Sequence, residues 1–237
     1  MKIVGFILNK NNSNLLEAAL NKIPGCIDEV FISDDNSTDS SEKTAAKKKI
    51  KFYKNKYVNG YGGNVKNALD ISFNQFNADF AVEVHGDGGQ FHPNATIDAL
   101  KLINSEGVDL ICGSRFKKFR ENIKLGYPFE RMFPNLILSS IERIILNIPI
   151  TDFHQGFKIY SKNLFEKINL EKLSDNYLFS FEIILYSKLL GLKIKDVPVL
   201  CDYKSPHTSH KLFGKNSAFT YQLETFHLIY KYFRGNL

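Results

Sequence analysis

The sequence has few cysteines and no paired cysteine motif. Its 237 residues include Cys26, Cys112 and Cys201, which are far apart and form no CxxC pair. Disulfide frameworks and cysteine zinc sites need cysteines in even sets or at short spacing. We therefore exclude both and expect reduced thiols in a cytoplasmic protein.

Long apolar runs are also missing. The N-terminal run KIVGFIL is short, and no signal-peptide cleavage pattern follows it. No other segment reaches the roughly 18 apolar residues that a membrane-spanning helix needs. We therefore expect no integral membrane segment.

Two common nucleotide-binding motifs are absent. The segment ILNKNNSN after the first predicted strand has no glycine, whereas a nicotinamide dehydrogenase would carry GxGxxG there. A sugar-phosphate nucleotidyltransferase would place a glycine-rich loop with arginine and lysine at the same point. The later segment NGYGGNVKNAL lacks the GK[ST] ending of a Walker A loop. These enzyme classes are disfavoured.

What is present is an ordinary globular composition with a basic surplus. Hydrophobic residues make up 43% and charged residues 24%, and the net charge is +6. Such a surplus favours anionic partners such as nucleotides or phospholipid surfaces. Nucleic-acid binding is not expected, because the lysines are scattered and form no basic stripe with spaced aromatics.

The first half alternates strands with helices. The predicted strands are residues 2–8, 29–33, 51–53, 79–84 and 109–112, and the predicted helices are residues 14–22, 39–48, 63–76 and 94–104. This alternation predicts an α/β fold with a parallel sheet and helices on both faces. Right-handed crossovers then bring the carboxyl ends of the strands to one edge, where ligands bind.

The second half is less regular. We predict a helix over residues 131–147 bounded by Pro134 and Pro149, a helix over residues 179–190, and a strand pair around residues 193–203. The chain ends in a helix with aromatic side chains on much of its surface. One domain is the simplest interpretation.

Four unusual loops follow predicted strands at the same edge. In SDDNSTDSS, Ser37 or Thr38 can cap the next helix, whereas Asp34 and Asp35 can accept hydrogen bonds from a nucleobase or ribose. In NGYGGN, Gly62 either forms a tight turn or lets a ligand approach a helix start, with Lys66 one turn further. GSRF follows the fifth strand.

The fourth loop, VHGDGGQFHP, is the strongest candidate for a site. Asp87 on a flexible backbone, with His85 or Gln90 beside it, suits an open site for Mg²⁺ or Mn²⁺ that is completed by a substrate diphosphate. A closed zinc site would need more than His85 and His92. A simple structural turn is the alternative.

The second half adds candidates of its own. Asp152 precedes a glycine and an apolar strand, and Glu182 lies within an apolar helix face, where an acid is either paired or functional. The loop with Lys204, Ser209 and Lys211 is either solvated or closes over a diphosphate.

Taken in order, eight segments resemble family 2 glycosyltransferases of the GT-A fold. The likeness is to the branch of dolichyl-phosphate mannosyltransferase and related polyprenyl-phosphate sugar transferases, and it covers about residues 1–215. The segments are Asn9, DDNSTD, GYGGNVKNA, HGDGGQFHP, GSRF, DFHQGFK, FSFEIIL and KDVPV. The sequence departs from the family pattern in two segments. In HGDGGQFHP, His85 stands at the first acid of the DxD motif and an extra glycine follows Asp87. In DFHQGFK, Gln155 stands where the family has Ser or Thr.

The resemblance implies a Rossmann-like, mostly parallel sheet with a donor half over residues 1–115, an acceptor half over residues 116–215, and an amphipathic helix over residues 216–237. It also implies roles for individual residues. The residues implied to bind the nucleotide are Asn9, Asp34, Asp35, Gly62 and Lys66, and those implied to bind the metal are Asp87, His85 and Gln90. The residues implied to be catalytic are Asp87, Glu182 and Asp152. The residues implied to contact the diphosphate and the acceptor are Arg115, Lys204, Ser209 and Lys211.

The implied reaction is an inverting, Mg²⁺- or Mn²⁺-dependent transfer from a nucleoside-diphosphate sugar to a polyprenyl phosphate or to a hydroxyl of a surface glycan. A hydroxyl acceptor needs a base, for which Glu182 is the first candidate and Asp152 the second. Peripheral contact with the inner face of the membrane and assembly with a second copy both stay open. The alternative function is a non-catalytic nucleotide-sugar or glycan-binding module whose DxD site has decayed.

Overall fold

The computed structural model describes residues 1–86, 94–204 and 218–237. Within these ranges the strands are β1 (Ile3–Asn9), β2 (Glu29–Asp34), β3 (Lys51–Lys54), β4 (Phe80–His85), β5 (Leu110–Ser114), β6 (Lys158–Ser161) and β7 (Ile194–Pro198). The helices are α1 (Ser13–Leu20), α2 (Ser41–Lys47), α3 (Tyr61–Asp70), α4 (Asn94–Glu106), α5 (Phe119–Lys124), α6 (Phe129–Leu146), α7 (Lys162–Lys167), α8 (Phe179–Leu189) and α9 (Ala218–Phe233).

The strands form one seven-stranded sheet in the order β3-β2-β1-β4-β6-β5-β7. All neighbouring pairs are parallel except those of β6, which runs antiparallel to β4 and β5. The interior strand β1 reads IVGFILN and is buried along nearly its whole length, as expected for a strand covered on both faces. The predicted α/β class with a mostly parallel sheet is confirmed.

Helices cover both faces of the sheet, and each face has its own apolar core. On one face α3, α8 and α9 contribute Leu69, Leu185 and Leu228. On the other face α1, α2 and α4 contribute Leu16, Ala45 and Ala99. The C-terminal helix therefore packs on the domain through one side. No helix in the described ranges is long and apolar enough to cross a bilayer.

Three local predictions differ from the structure. Pro134 lies inside α6 instead of bounding it. Proline has no N–H to donate to the carbonyl group four residues earlier in the helix. Because Pro134 is on the exposed side of α6, water can bond that carbonyl group instead. The predicted strand pair around residues 193–203 is the single strand β7 within the described residues. The predicted third helix is α3 followed by a π-helical turn, Ile71–Gln75.

Candidate functional site

Six parallel strands end at one edge of the sheet, and the antiparallel β6 begins there. This topology brings the carboxyl ends of β1, β2, β4 and β5 together with the segment that precedes β6. Strand ends that are distant in the sequence therefore lie at one edge, as the alternation of strands and helices predicted.

Asn9 and Asp34 form a buried contact between the ends of β1 and β2. Asn9 Nδ2 donates to Asp34 Oδ1 at 2.7 Å, and the backbone N–H of Ser37 donates to Asp34 Oδ2 at 2.8 Å. Asp34 therefore holds the loop that follows β2. Asn9 Oδ1 is buried with no hydrogen-bond partner among the described residues, so it can accept a hydrogen bond from a ligand.

Asp35 is a buried carboxylate with contacts from three directions. Its Oδ1 accepts hydrogen bonds from the backbone N–H of Gly60 and from Asn55 Nδ2, each at 3.1 Å. Its Oδ2 accepts one from Lys10 Nζ at 2.5 Å, and the lysine side chain is 57% exposed. Because Lys10 is solvated, a ligand can take its place at little cost.

The ring of Tyr177 lies on the same side of the edge. It stacks on Tyr61 with the ring centroids 5.3 Å apart and is 42% exposed. Partial burial raises the pKa of Tyr177, while Lys10 lowers it and Asp35 raises it. The backbone of Gly60 contacts both the Asp35 carboxylate and the carbonyl group of Asp175, so the segment that carries Tyr177 lies close to Asp35.

Lys66 and Glu182 hold the segment that carries Tyr177. Lys66 Nζ donates to the carbonyl group of Leu173 and to Asp175 Oδ1, the latter at 2.8 Å. Glu182 accepts from the backbone N–H and the hydroxyl group of Ser174, at 2.6 and 2.8 Å. Burial raises the pKa of Glu182 in spite of these hydrogen bonds.

Gly62 packs against this same segment. A Cβ atom at Gly62 would lie 2.3 Å from the carbonyl oxygen of Ser174 and 2.8 Å from that of Asn176. Only glycine permits so close an approach of the two backbones. Gly62 and Lys66, which were assigned to nucleotide binding, and Glu182, which was assigned to catalysis, therefore all contact one loop.

A buried polar cluster lies beneath the end of β4. Glu83 is fully buried and accepts from the hydroxyl groups of Tyr61 and Tyr160, at 2.7 and 2.6 Å. His85 Nε2 lies 3.2 Å from Glu83 Oε1. Burial alone would raise the pKa of Glu83, but His85, Lys158 and the hydroxyl group of Tyr160 lower it on balance, so Glu83 is a carboxylate.

Gly156 provides the space that His85 occupies. A Cβ atom at Gly156 would lie 2.3 Å from His85 Cε1 and 2.4 Å from Nε2. The preceding Gln155 points inward, donating to Cys201 Sγ at 3.3 Å. The segment before β6 that contains Gln155 and Gly156 is thus in direct contact with the His85 imidazole at the end of β4.

Arg115 and Asp152 form a buried ion pair. Arg115 Nε donates to Asp152 Oδ2 at 2.7 Å and Nη2 donates to Oδ1 at 2.9 Å. Arg115 Nη1 also donates to the hydroxyl group of Tyr203 at 3.3 Å. Burial would raise the pKa of Asp152, but the guanidinium group lowers it overall. Asp152 is therefore a weak base that holds Arg115 in place.

His154 joins α6 to α9 behind this pair. Its Nε2 lies 3.0 Å from the buried Glu142 of α6, and its Nδ1 lies 3.4 Å from the hydroxyl group of Tyr221 in α9. The two helices thus meet at a residue that is only two positions from Asp152.

Some predicted residues lie outside the described ranges, namely Asp87, Gln90, Ser209 and Lys211. Lys204 is exposed at the end of a described range, with its Cγ 3.0 Å from the Cβ position of Gly126. Within residues 1–86, 94–204 and 218–237, no group of three or more His, Cys, Asp or Glu side chains could by itself hold a metal.

Three residues of the cluster and of the edge escaped the sequence analysis: Glu83, Lys158 and Tyr177. An acid inside the apolar run FAVEVH and a lysine inside FKIYS are both unusual in buried strands, and that signal was available. No local sequence pattern identifies Tyr177, because the loop that carries it is far from Asp35 in the sequence and lies near it only in the folded chain.

Comparison with known proteins agrees with this geometry. The sequence model of "Glycosyl transferase family 2" matches residues 9–169. A UDP-N-acetylglucosamine–dolichyl-phosphate N-acetylglucosaminyltransferase of Methanococcus voltae is 27% identical over 154 residues, which are 65% of this chain and 59% of that protein. An uncharacterised protein of Methanocaldococcus jannaschii is 26% identical over 174 residues, which are 73% of this chain and 70% of that protein.

Solved structures show the same fold. Glucosyl-3-phosphoglycerate synthase from Mycobacterium tuberculosis in complex with phosphoglyceric acid has a TM-score of 0.71 at 16% identity, over 98% of this chain and 79% of that one. Its complex with Mg²⁺ and UDP has a TM-score of 0.67 at 17% identity, over 89% and 73%.

The sheet order, the polar edge and the family match over most of the chain lead to one assignment. The chain belongs to glycosyl transferase family 2 and is a glycosyltransferase of the GT-A fold.

Proposed function

We propose that the protein transfers a sugar from a nucleoside-diphosphate sugar to a polyprenyl phosphate, in an inverting reaction that depends on a divalent cation. The Methanococcus voltae relative is named for transfer from UDP-N-acetylglucosamine to dolichyl phosphate, and the mycobacterial synthase was solved with UDP. This chain spans 59% of that relative's length. These likenesses favour UDP as the donor nucleotide.

The nucleoside would bind between Asp35 and Tyr177. The Asp35 carboxylate can accept from a base N–H, the exposed Tyr177 ring can stack on the base, and buried Asn9 Oδ1 can accept a further hydrogen bond. Lys66 and Gly62 then contribute through the loop that carries Tyr177, and Asp34 contributes by holding the loop after β2.

The residues at the end of β4 fit a divalent cation. A histidine that binds a metal commonly gives its other ring nitrogen to a carboxylate, and Glu83 lies in that position beside His85. His85, Asp87 and Gln90 would hold the ion. Bound there, the ion would neutralise the negative charge that develops on the departing diphosphate.

A phosphate acceptor is favoured because both candidate bases are already engaged. Asp152 is paired with Arg115 and has a lowered pKa. Burial raises the pKa of Glu182, but both of its carboxylate oxygens accept hydrogen bonds from Ser174. A hydroxyl acceptor needs a carboxylate that can take a proton, whereas a lipid phosphate is already ionised. The proposal of a phosphate acceptor therefore rests on one observation: the carboxylates of Asp152 and Glu182 both have hydrogen-bond partners within the protein.

The reaction then needs no proton transfer. A phosphate oxygen of the acceptor bonds to the anomeric carbon from the face opposite the leaving group. The bond from that carbon to the diphosphate oxygen breaks, and its electron pair leaves with the nucleoside diphosphate. Arg115, Lys204, Ser209 and Lys211 would stabilise the two phosphate groups.

Calorimetric titration with UDP, GDP, CDP and TDP, each with and without Mn²⁺, tests the donor site. We expect tight, Mn²⁺-dependent binding of UDP, which Asp87→Ala abolishes while the protein stays folded. Binding of UDP without any turnover of UDP-sugars would instead support a non-catalytic binding module.

The acceptor is tested with radiolabelled UDP-N-acetylglucosamine and UDP-glucose, offered with a short polyprenyl phosphate or with the matching polyprenol. We expect label in the lipid phase only with the phosphate. Transfer to a glycan hydroxyl while polyprenyl phosphate stays inert would overturn the proposed acceptor and leave the donor site standing.

A further inference from the structure

Helix α6 exposes large apolar side chains although part of its buried side is polar. Its buried residues are Met132, Ser139, Glu142 and Leu146, two of them polar, whereas large apolar side chains face solvent. The exposed ones are Phe129, Phe133, Ile137, Ile141, Ile144 and Ile145, between 41% and 79% exposed. A helix on the surface of a soluble domain has the opposite arrangement.

Helix α9 also exposes large apolar side chains. It packs on the domain through Leu228 and Ile229, and its exposed side is apolar as well. The exposed residues are Phe219, Leu223, Phe226, Tyr230 and Phe233, between 45% and 60% exposed. Their spacing of three and four residues places them on one side of the helix.

The two helices are joined through His154, which contacts Glu142 of α6 and Tyr221 of α9. Apolar area of this extent on two linked helices marks an interaction site. We call the exposed sides of α6 and α9 together the two-helix surface.

We propose that the two-helix surface binds the surface of an anionic lipid bilayer. Cations border both apolar stripes. At about 100° per residue, Arg131 and Arg143 lie about 120° to either side of Ile137 on α6. Lys231 lies in the last turn of α9, and Arg234 directly follows that helix. Helices with an apolar face, aromatic residues and basic borders bind at the level of lipid headgroups.

Charge also argues against a second copy of the chain. A symmetric dimer would place the same patch of each copy face to face, so that the basic borders would repel. Each helix has one acid outside its buried side, Glu130 on α6 and Glu224 on α9, against two basic residues each. The segment FKKFRENIK just before α6 adds further basic residues, including the exposed Arg120 and Lys124.

Vesicle flotation with the full chain tests this proposal. We expect the protein to float with vesicles of phosphatidylcholine and phosphatidylglycerol, to bind phosphatidylcholine alone more weakly, and to lose part of its binding in high salt. The proposal does not depend on the proposed function, because flotation needs neither donor nor acceptor. Under that function, the surface would bring a lipid acceptor to the enzyme.

Single charged substitutions provide the controls. Ile137→Glu on α6 and Phe226→Glu on α9 should each lower vesicle binding by about tenfold or more. Ile97→Glu on α4 is the matched control, because Ile97 is 43% exposed and Ile137 is 44% exposed; it should float like the wild type. The circular dichroism spectrum and the urea unfolding midpoint should be unchanged in all three variants, which shows that they are folded.

Failure to float with either kind of vesicle would overturn the proposal, as would equal loss of binding in Ile97→Glu. Light scattering gives a further check. If the wild type is a dimer that Ile137→Glu dissociates, the two-helix surface is an interface between copies and the bilayer proposal is wrong.

Discussion

In the predicted donor half, residues 1–115, Asp34 and Asp35 lie at the sheet edge and accept hydrogen bonds from the backbone of neighbouring loops. In the rest of the chain, Asp152 and Glu142 are buried beside Arg115 and His154, while apolar side chains of α6 and α9 are exposed. The acids of the first region thus position loops at the edge where we propose that the nucleotide binds. Those of the second region join separate elements, and its exposed apolar side chains form the surface that we propose binds a bilayer.

Asp152→Asn should give the largest effect, because it leaves the Arg115 guanidinium buried without a counter-charge. We expect a loss of about 3–5 kcal/mol in the free energy of unfolding at pH 7, measured by urea denaturation. Asp79→Asn is the control: Asp79 is 53% exposed beside the N-terminal amine, so the loss there should stay below about 1 kcal/mol.

The same pair should make stability depend on pH. The folded-state pKa of Asp152 is lowered, so the folded protein binds fewer protons than the unfolded chain. The stabilisation is therefore present above the unfolded value of about 3.9 and is lost as the pH falls through the folded-state pKa. Asp152→Asn should flatten the decline of stability below about pH 5; an unchanged decline would contradict the assignment.

Asp35→Asn should affect binding more than stability. The amide oxygen can still accept from Gly60, but the charge that would attract a base N–H is lost. We expect UDP to bind about 10–100-fold more weakly in calorimetry, equivalent to about 1.4–2.7 kcal/mol, with less than about 1 kcal/mol lost in the free energy of unfolding. Asp39→Asn, in the same loop, should leave UDP binding intact. Equal losses in both variants would remove Asp35 from the site.

Gly156→Ala tests the contact between the two halves. The new methyl group would meet the His85 imidazole at 2.3 Å, so His85 must move away. We expect Mn²⁺ to strengthen UDP binding about tenfold less than in the wild type, measured by titration with and without the ion. Gly25→Ala is the matched control, since no atom lies within 4 Å of its Cβ position. Full Mn²⁺ dependence in Gly156→Ala would show that His85 is no metal ligand.

Glu182→Gln should give the smallest effect if the acceptor is a phosphate. Glutamine can keep hydrogen bonds to Ser174, and no proton has to be removed. We expect kcat for polyprenyl phosphate within about threefold of the wild type, less than 1 kcal/mol in activation free energy. A loss of a hundredfold or more would identify Glu182 as a base and favour a hydroxyl acceptor.

The sequence predicted the donor half well. The alternation of short apolar runs with helical segments located β1 to β5 within a few residues. Strands that are buried on both faces are short, nearly continuous apolar runs, and this pattern is easy to identify between helical segments. It also placed Asn9, Asp34 and Asp35 at one edge, since parallel strands align their carboxyl ends. The acceptor half was harder: the antiparallel β6 and the Pro134 inside α6 depend on packing that local patterns do not record.

Individual roles were less predictable than positions. Lys66 was assigned to nucleotide binding and Glu182 to catalysis, yet both contact the loop of residues 173–175. The contact of Lys66 joins positions more than a hundred residues apart, and no local pattern encodes it. Arg115 was assigned to the diphosphate and acceptor side and Asp152 to catalysis, but only the structure shows that they form an ion pair.

The sequence by itself determined the α/β class, the family and the edge at which polar loops meet, because these follow from periodicity and from motifs in chain order. The tertiary structure decided which charges are paired, which glycines separate touching backbones, and which apolar faces stay exposed. These features depend on distances between segments far apart in the chain, and packing sets those distances.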